Sequence, residues 1–290
     1  MAVGSPPEPI PSSADDAARP TSADAAARFT GERSSLPGAA AYKLEAQGLR
    51  ASLGATRVLH GIDMGIEAHQ VTAIIGPAGA GKTTFLRCLN RMHEVAPGAR
   101  SEGRVLLDGA DIYARGVNPV TIRRRVAMIF QQPNPFVAMS VRENVLAGLT
   151  LNGIRVADPN GLVERLLQEV LLWDELKDAL DRPSASLSEG QRQRLCVARC
   201  LALGPEVILM DDPSAALDPG ESAELEDLIA RLKAEHTIVI ATQDLQQAAR
   251  VAAKTAFFYK GQLVEHERTP VLFTRPSDQR TEDYITGRVR

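Results

Sequence analysis

The chain has 290 residues, 44% of them hydrophobic, and a formal net charge of −3. That length suits one large α/β domain or two small ones, the composition is globular, and the charge gives no long-range field that would draw nucleic acid. No apolar run reaches the roughly 18 residues a membrane-spanning helix needs.

The opening Met1-Ala2-Val3-Gly4-Ser5-Pro6-Pro7 lacks the basic and apolar regions of a secretory signal, so a cytoplasmic chain is expected. Residues 1–40 are rich in Ala, Pro, Ser and Asp and read as a disordered tail. The folded domain is expected over residues 41–290, beginning near Tyr42. Residues 42–53 and 57–67 predict two strands around a turn at Gly54-Ala55. Val71–Ile75 is a short apolar strand running into glycines, and 83–92 is helical. Strands follow at 104–107 and 126–130, then helices at 141–149 and 161–179. The second of these places Leu162, Leu166, Val170 and Trp173 at helical spacing. A helix at 189–203 precedes a buried strand at 207–210. Helix 221–233, strand 237–241, helix 244–252 and strand 255–260 follow. Strands alternating with helices imply an α/β fold with a mostly parallel sheet, and the helices at about 137–203 predict an inserted helical subdomain. Cys88, Cys196 and Cys200 are too few and too scattered for a disulfide framework. Cys196 and Cys200 would share a helical face as buried thiols, since no histidine or further cysteine sits nearby to complete a metal site.

Gly76-Pro77-Ala78-Gly79-Ala80-Gly81-Lys82-Thr83 has the spacing of a P-loop, placed after an apolar strand and at a helix start. Such glycines let the backbone curl around phosphate oxygens, and free amides at the helix start face the negative charge. Lys82 is expected to reach the β and γ phosphates of a nucleotide and Thr83 to place its hydroxyl on Mg²⁺. Thr84 completes the nucleotide-binding set. A glycine turn that binds nothing would leave Lys82 and Thr83 unexplained. Val207-Ile208-Leu209-Met210-Asp211 is an apolar strand ending in an acid, which can offer its carboxylate to Mg²⁺. Asp212 follows and can orient or deprotonate a water at the γ phosphate. The plainer alternative is that the two acids simply end a strand.

These residues resemble the ABC-transporter ATPases across roughly residues 42–290. Leu187-Ser188-Glu189-Gly190-Gln191 is similar to that family's signature, Gln131 to its glutamine loop, and Ala216-Leu217-Asp218 to the turn after its acidic strand. Several stretches resemble the phosphate-import branch more closely: Gln131-Gln132-Pro133-Asn134-Pro135-Phe136, Asn90-Arg91-Met92 through Pro97-Gly98-Ala99-Arg100, Gln246-Gln247-Ala248-Ala249-Arg250-Val251, and in the tail Phe273 to Ser277 and Arg280 to Arg288.

The resemblance implies a P-loop NTPase of the ABC ATPase fold, with a RecA-like core, an antiparallel β subdomain and an α-helical subdomain. It implies ATP and Mg²⁺ as ligands, with Thr83, Gln131 and Asp211 at the metal. It further implies two subunits sandwiching two ATP molecules head to tail, Ser188, Gly190 and Gln191 of one facing the P-loop of the other. The expected assembly is a homodimer, or a heterodimer with a standard cassette, docked on two transmembrane permease subunits at the cytoplasmic face of the membrane. A phosphate-binding protein would take part indirectly, and nucleic acid not at all.

Four positions depart from the family's pattern. Asp212 stands where a catalytic glutamate is expected, and Gln243 where a switch histidine is expected. Leu53 stands where an aromatic residue would stack on adenine, and Glu189 replaces the signature's first glycine. Asp212 and Gln243 therefore become the catalytic candidates, with turnover expected to be weakened. Two functions stay open. One is an importer ATPase that drives permease switching, and the other is a nucleotide-gated structural or regulatory subunit with little turnover. An ABC ATPase acting on DNA or ribosomes would be expected to carry two cassettes or a long coiled coil, and the sequence has neither.

Overall fold

A computed structural model describes residues 42–288. The expected tail at residues 1–40 lies outside them. Five apolar segments form a parallel array, and their neighbours explain why nearly every side chain in them is apolar. These are β3 (Val71–Ile75), β6 (Val126–Ile129), β7 (Val207–Asp211), β8 (Thr237–Ala241) and β9 (Lys254–Tyr259). With β10 (Gln262–Arg268) as an antiparallel edge they make a six-stranded sheet of order β10-β9-β3-β8-β7-β6. Both faces are covered, as parallel sheets require. Side chains alternate between the faces. Val71, Ala73, Ile75, Ile208, Met210, Ile238 and Ile240 pack with Leu166, Leu195 and Leu228 from helices on one side. Ile74, Val207, Leu209, Val239, Ala241 and Phe258 pack with Phe85, Leu86 and Leu89 on the other. Truncating any of these buried leucines to alanine costs about 2–5 kcal/mol.

The second cluster is closed by a four-stranded antiparallel sheet of order β2-β1-β4-β5. Its strands are β1 (Leu44–Leu53), β2 (Thr56–Ile66), β4 (Ala99–Leu107) and β5 (Ala110–Asp111). Helix α1 (Lys82–Leu89) sits between the two sheets, and Phe85 meets Phe258 edge-on at 5.1 Å. Ion pairs also tie the sheets together: Lys43 and Arg125 both hold Asp108 and Glu206.

Helices α2 (Pro119–Arg125), α3 (Val141–Leu151), α4 (Pro159–Glu169), α5 (Trp173–Leu176) and α6 (Glu189–Leu201) precede β7. Helices α7 (Pro219–Leu232), α8 (Leu245–Val251), α9 (Thr269–Thr274) and α10 (Gln279–Ile285) follow it. Local chemistry starts them. Ser140 and Ser188 form capping boxes with Glu143 and Gln191, and Asn118, Asp158 and Asp218 cap helices that open with proline.

Three expectations change. The helix expected at 161–179 is broken into α4 and α5, because Leu171 takes a left-handed φ of 59°. The break lets Val170, Leu172 and Leu176 all turn inward, and Arg194 donates to the freed Leu171 carbonyl at 2.8 Å. The helix expected to reach residue 92 ends at Leu89, where Arg91 at φ 61° turns away to bind the Ile112 and Val117 carbonyls. Strand β4 begins five residues earlier than expected, at Ala99, and pairs with β1 along its length. None of the described helices is long and apolar enough to cross a membrane.

Candidate nucleotide site

The turn from β3 into α1 exists because three residues can take positive φ. Gly76, Gly79 and Gly81 have φ of 146°, 75° and 99°. A Cβ at Gly76 would lie 2.1 Å from the Phe258 carbonyl, so the loop can pass over β9 only with glycine there. Gly81 caps α1 with its backbone and no side chain, which leaves the first amides of the helix free. Residues 78–84 all line a cavity of about 240 Å³, where successive backbone N–H groups and a helix N-terminus favour an anion.

The same cavity is lined by Gln131, Asp211, Asp212 and Gln243, brought there by the ends of β6, β7 and β8. Lys82 Nζ donates to the Gly76 carbonyl at 2.6 Å and to Pro77 at 2.9 Å, which holds the ammonium at the cavity. Burial pulls its pKa down, and the Asp212 and Asp211 charges pull it back up. Thr83 Oγ1 donates to Asp211 Oδ1 at 2.8 Å. A hydroxyl beside a carboxylate is a hard oxygen pair that suits Mg²⁺. Burial raises the Asp211 pKa, opposed by the Thr83 hydrogen bond and by Arg87.

Asp212 sits just past β7 at φ 47°, with its N–H bonded to the Ala241 carbonyl at 2.7 Å. Burial raises its pKa, opposed by the hydrogen bond from Gln243. That bond, from Gln243 Nε2 to Asp212 Oδ2, is 3.5 Å long, beyond the usual range for N–H···O. The arrangement can hold a polyanion, place a divalent cation at its edge, and present a carboxylate to a water.

Not every candidate meets in this cavity. Leu53 is 41% exposed at the end of β1 and is not among the lining residues. Ser188, Gly190 and Gln191 form the N-terminus of α6 and line no part of it. There the Ser188 hydroxyl donates to Glu221 Oε1 at 3.1 Å and the Gly190 N–H donates to the same oxygen at 3.2 Å. Glu189 turns along its own helix to Arg192 at 2.7 Å. Val58 and Ala241 line the cavity without any motif to announce them, and Glu221 likewise carried no sequence signal. The cysteines are buried or half-buried, with Cys88 and Cys200 pushed up by burial to about 12. Among the described residues no His, Cys, Asp and Glu side chains gather as a metal cluster.

A phosphate-cradling loop on a parallel sheet, with a lysine, a hydroxyl and two consecutive carboxylates converging on it, defines a P-loop nucleotide-binding protein. The ABC transporter family model matches residues 59–215. The chain is 53% identical to the phosphate import ATP-binding protein PstB of Koribacter versatilis, over 84% of this chain and 98% of that one. It is 50% identical to the protein of the same name from Streptomyces coelicolor, over 86% and 99%. The solved structure of cbiO1 from Clostridium perfringens, part of the ABC transporter complex cbiONQ, superposes with a TM-score of 0.70. That match has 27% identity and covers 85% of this chain and 96% of that one. The chain belongs to the ABC-transporter family as an ATP-binding subunit, with the RecA-like P-loop fold of its ATPases.

Proposed function

We propose that this chain is the ATP-hydrolysing, energy-coupling subunit of an importer for inorganic phosphate. The observation that carries the chemistry is the convergence of Lys82, the Thr83–Asp211 pair and Asp212 on one amide-lined cavity. Support for phosphate as cargo comes from the relatives named phosphate import proteins.

In this reading the amides of residues 78–84 bind the phosphates and Lys82 sits against the β and γ groups. Thr83, Asp211 and Gln131 would hold Mg²⁺, which would supply positive charge to neutralise the negative charge developing on the phosphates. Asp212 accepts the proton of a water that adds to the γ phosphorus while the bond to the β-phosphate oxygen breaks and ADP leaves. Gln243 steadies Asp212 and donates to the γ phosphate. Leu53 packs on the base. Residues 137–203 act as a helical lobe that carries Ser188, Gly190 and Gln191 to the nucleotide of a second subunit, so two copies close on two ATP molecules. Closure is passed to two permease subunits at the cytoplasmic face of the membrane, and through them to a phosphate-binding protein.

A nucleotide-gated subunit with little turnover is the second reading, favoured by the long Gln243–Asp212 separation. Full-length protein, reconstituted with the permease subunits of a phosphate importer, should hydrolyse Mg-ATP and drive phosphate uptake. Hydrolysis without uptake would remove the cargo assignment. Binding without hydrolysis would favour the second reading.

A further inference from the structure

The N-terminus of α6 already holds an anion, and it comes from the same chain. Glu221 stands in the first turn of α7, its N–H fixed by the Asp218 cap at 2.8 Å. Its Oε1 accepts from the Ser188 hydroxyl at 3.1 Å and from the Gly190 N–H at 3.2 Å. The approach depends on glycine: a Cβ at Gly190 would lie 2.6 Å from the Glu221 carboxyl carbon. A serine hydroxyl has one proton and a backbone amide has one N–H. Both are committed to one carboxylate oxygen, in a geometry where the helix dipole adds to the attraction. Neither can serve a phosphate oxygen at the same time, and a phosphate arriving there meets a like charge.

We propose that Glu221 is an intramolecular competitor for the γ phosphate of a second copy's ATP, and that its displacement sets the nucleotide level at which the dimer closes. The proposal rests on the reading of Ser188 and Gly190 as donors across a dimer. Displacement does not require α7 to leave α6, because Arg194 also holds Glu224 at 3.1 Å. Swinging one side chain is enough. A competitor inside the chain lowers apparent affinity by the fraction of molecules in which the donors are occupied. It acts on closure alone and leaves the P-loop of the same subunit untouched.

The test uses full-length protein, Mg-AMP-PNP and two variants, Glu221→Ala and Glu221→Gln. Light scattering gives the nucleotide concentration for half-maximal dimerisation. Trinitrophenyl-ATP fluorescence on dilute protein gives the affinity of the single subunit. Glu221→Ala should lower the dimerisation midpoint about tenfold, or about 1.4 kcal/mol. Glu221→Gln keeps an acceptor but loses the charge and should lower it about threefold. Subunit affinity should stay constant in all three proteins. A midpoint that is unchanged or higher in both variants overturns the inference, and so does binding without dimerisation in every protein. Absence of nucleotide binding in every protein would instead remove the proposed function. If the alanine variant misfolds, the glutamine variant alone decides, since it keeps the size and polarity of the side chain.

Discussion

Lengthening the side chain at position 212 is the sharpest test of the catalytic reading. The Asp212 backbone is held on both sides, by β7 before it and by its N–H on the Ala241 carbonyl at 2.7 Å. The reach of the carboxylate is therefore set by side-chain length. Glutamate adds one carbon–carbon bond of about 1.5 Å. A misplacement of about 1 Å in a reacting group can cost about 10²-fold. Asp212→Glu is therefore expected to raise kcat by up to about 10²-fold with little change in KM, because reach matters to the reacting water rather than to ground-state binding. Gln243→His should raise kcat further in combination. Because the two side chains share one reacting group, their effects should not multiply. The left-handed φ of 47° suits aspartate better than glutamate, so the variant should lose up to about 1 kcal/mol, or about 2–4 °C in Tm. The assay is steady-state hydrolysis at saturating Mg-ATP by the parent, both single variants and the double variant, alone and with any co-encoded cassette. A parent as fast as a relative carrying glutamate and histidine, with no gain from either substitution, would refute the reasoning.

The other expectations are simpler. Lys82→Ala removes the cation at the cavity, and calorimetry should show Mg-ATP affinity lowered about 10- to 100-fold in a folded protein. Asp212→Asn should raise Tm at pH 7 by about 1–3 °C, at the low end of active-site trade-offs because solvent screens a half-buried carboxylate. Burial raises the Asp212 pKa above 3.8, so ionisation destabilises the fold as pH rises through that window, and the gain should fade as pH drops towards 3.8. Glu206 has the opposite sign. Burial would raise its pKa, but hydrogen bonds from Arg125 and Lys43 outweigh it and hold the value at about 2. Its contribution is present above 4.5 and lost as pH falls towards 2, so Glu206→Gln should cost about 1 kcal/mol at pH 7 and little at pH 2. Thermal melts across pH check both.

The central strands were legible because they are buried on both faces, which leaves apolar runs bounded by turn residues. Val207–Asp211 and Thr237–Ala241 needed no other signal. The edges were not. Strand β10 reads Gln262-Leu263-Val264-Glu265-His266-Glu267-Arg268, polar because one side of an edge strand meets solvent, and it carries no apolar run. Helix α2 ends in three arginines and buries only Ile122, so it has almost no periodic face. The break at Leu171 was hidden for a different reason. Its flanking leucines continue the helical spacing, and the left-handed turn is stabilised by Arg194 from a distant helix.

The candidate site shows the same division between chemistry carried by local spacing and chemistry assembled by topology. Residues 76–84 can be read as one unit because the loop's function demands glycines, a lysine and a hydroxyl at fixed steps along the chain. Asp211 and Asp212 reach the same cavity because β7 lies one strand over from β3, with β8 between them, a fact of strand order. Glu221 could not be anticipated at all. Its role depends on α7 crossing α6 just where Gly190 leaves room for a carboxylate, and neither segment signals the other. A signature helix read alone thus predicts a free anion site, whereas the folded chain presents one already engaged. Whether that engagement controls closure is therefore a question about side-chain competition, and mutation of Glu221 addresses it without disturbing the P-loop.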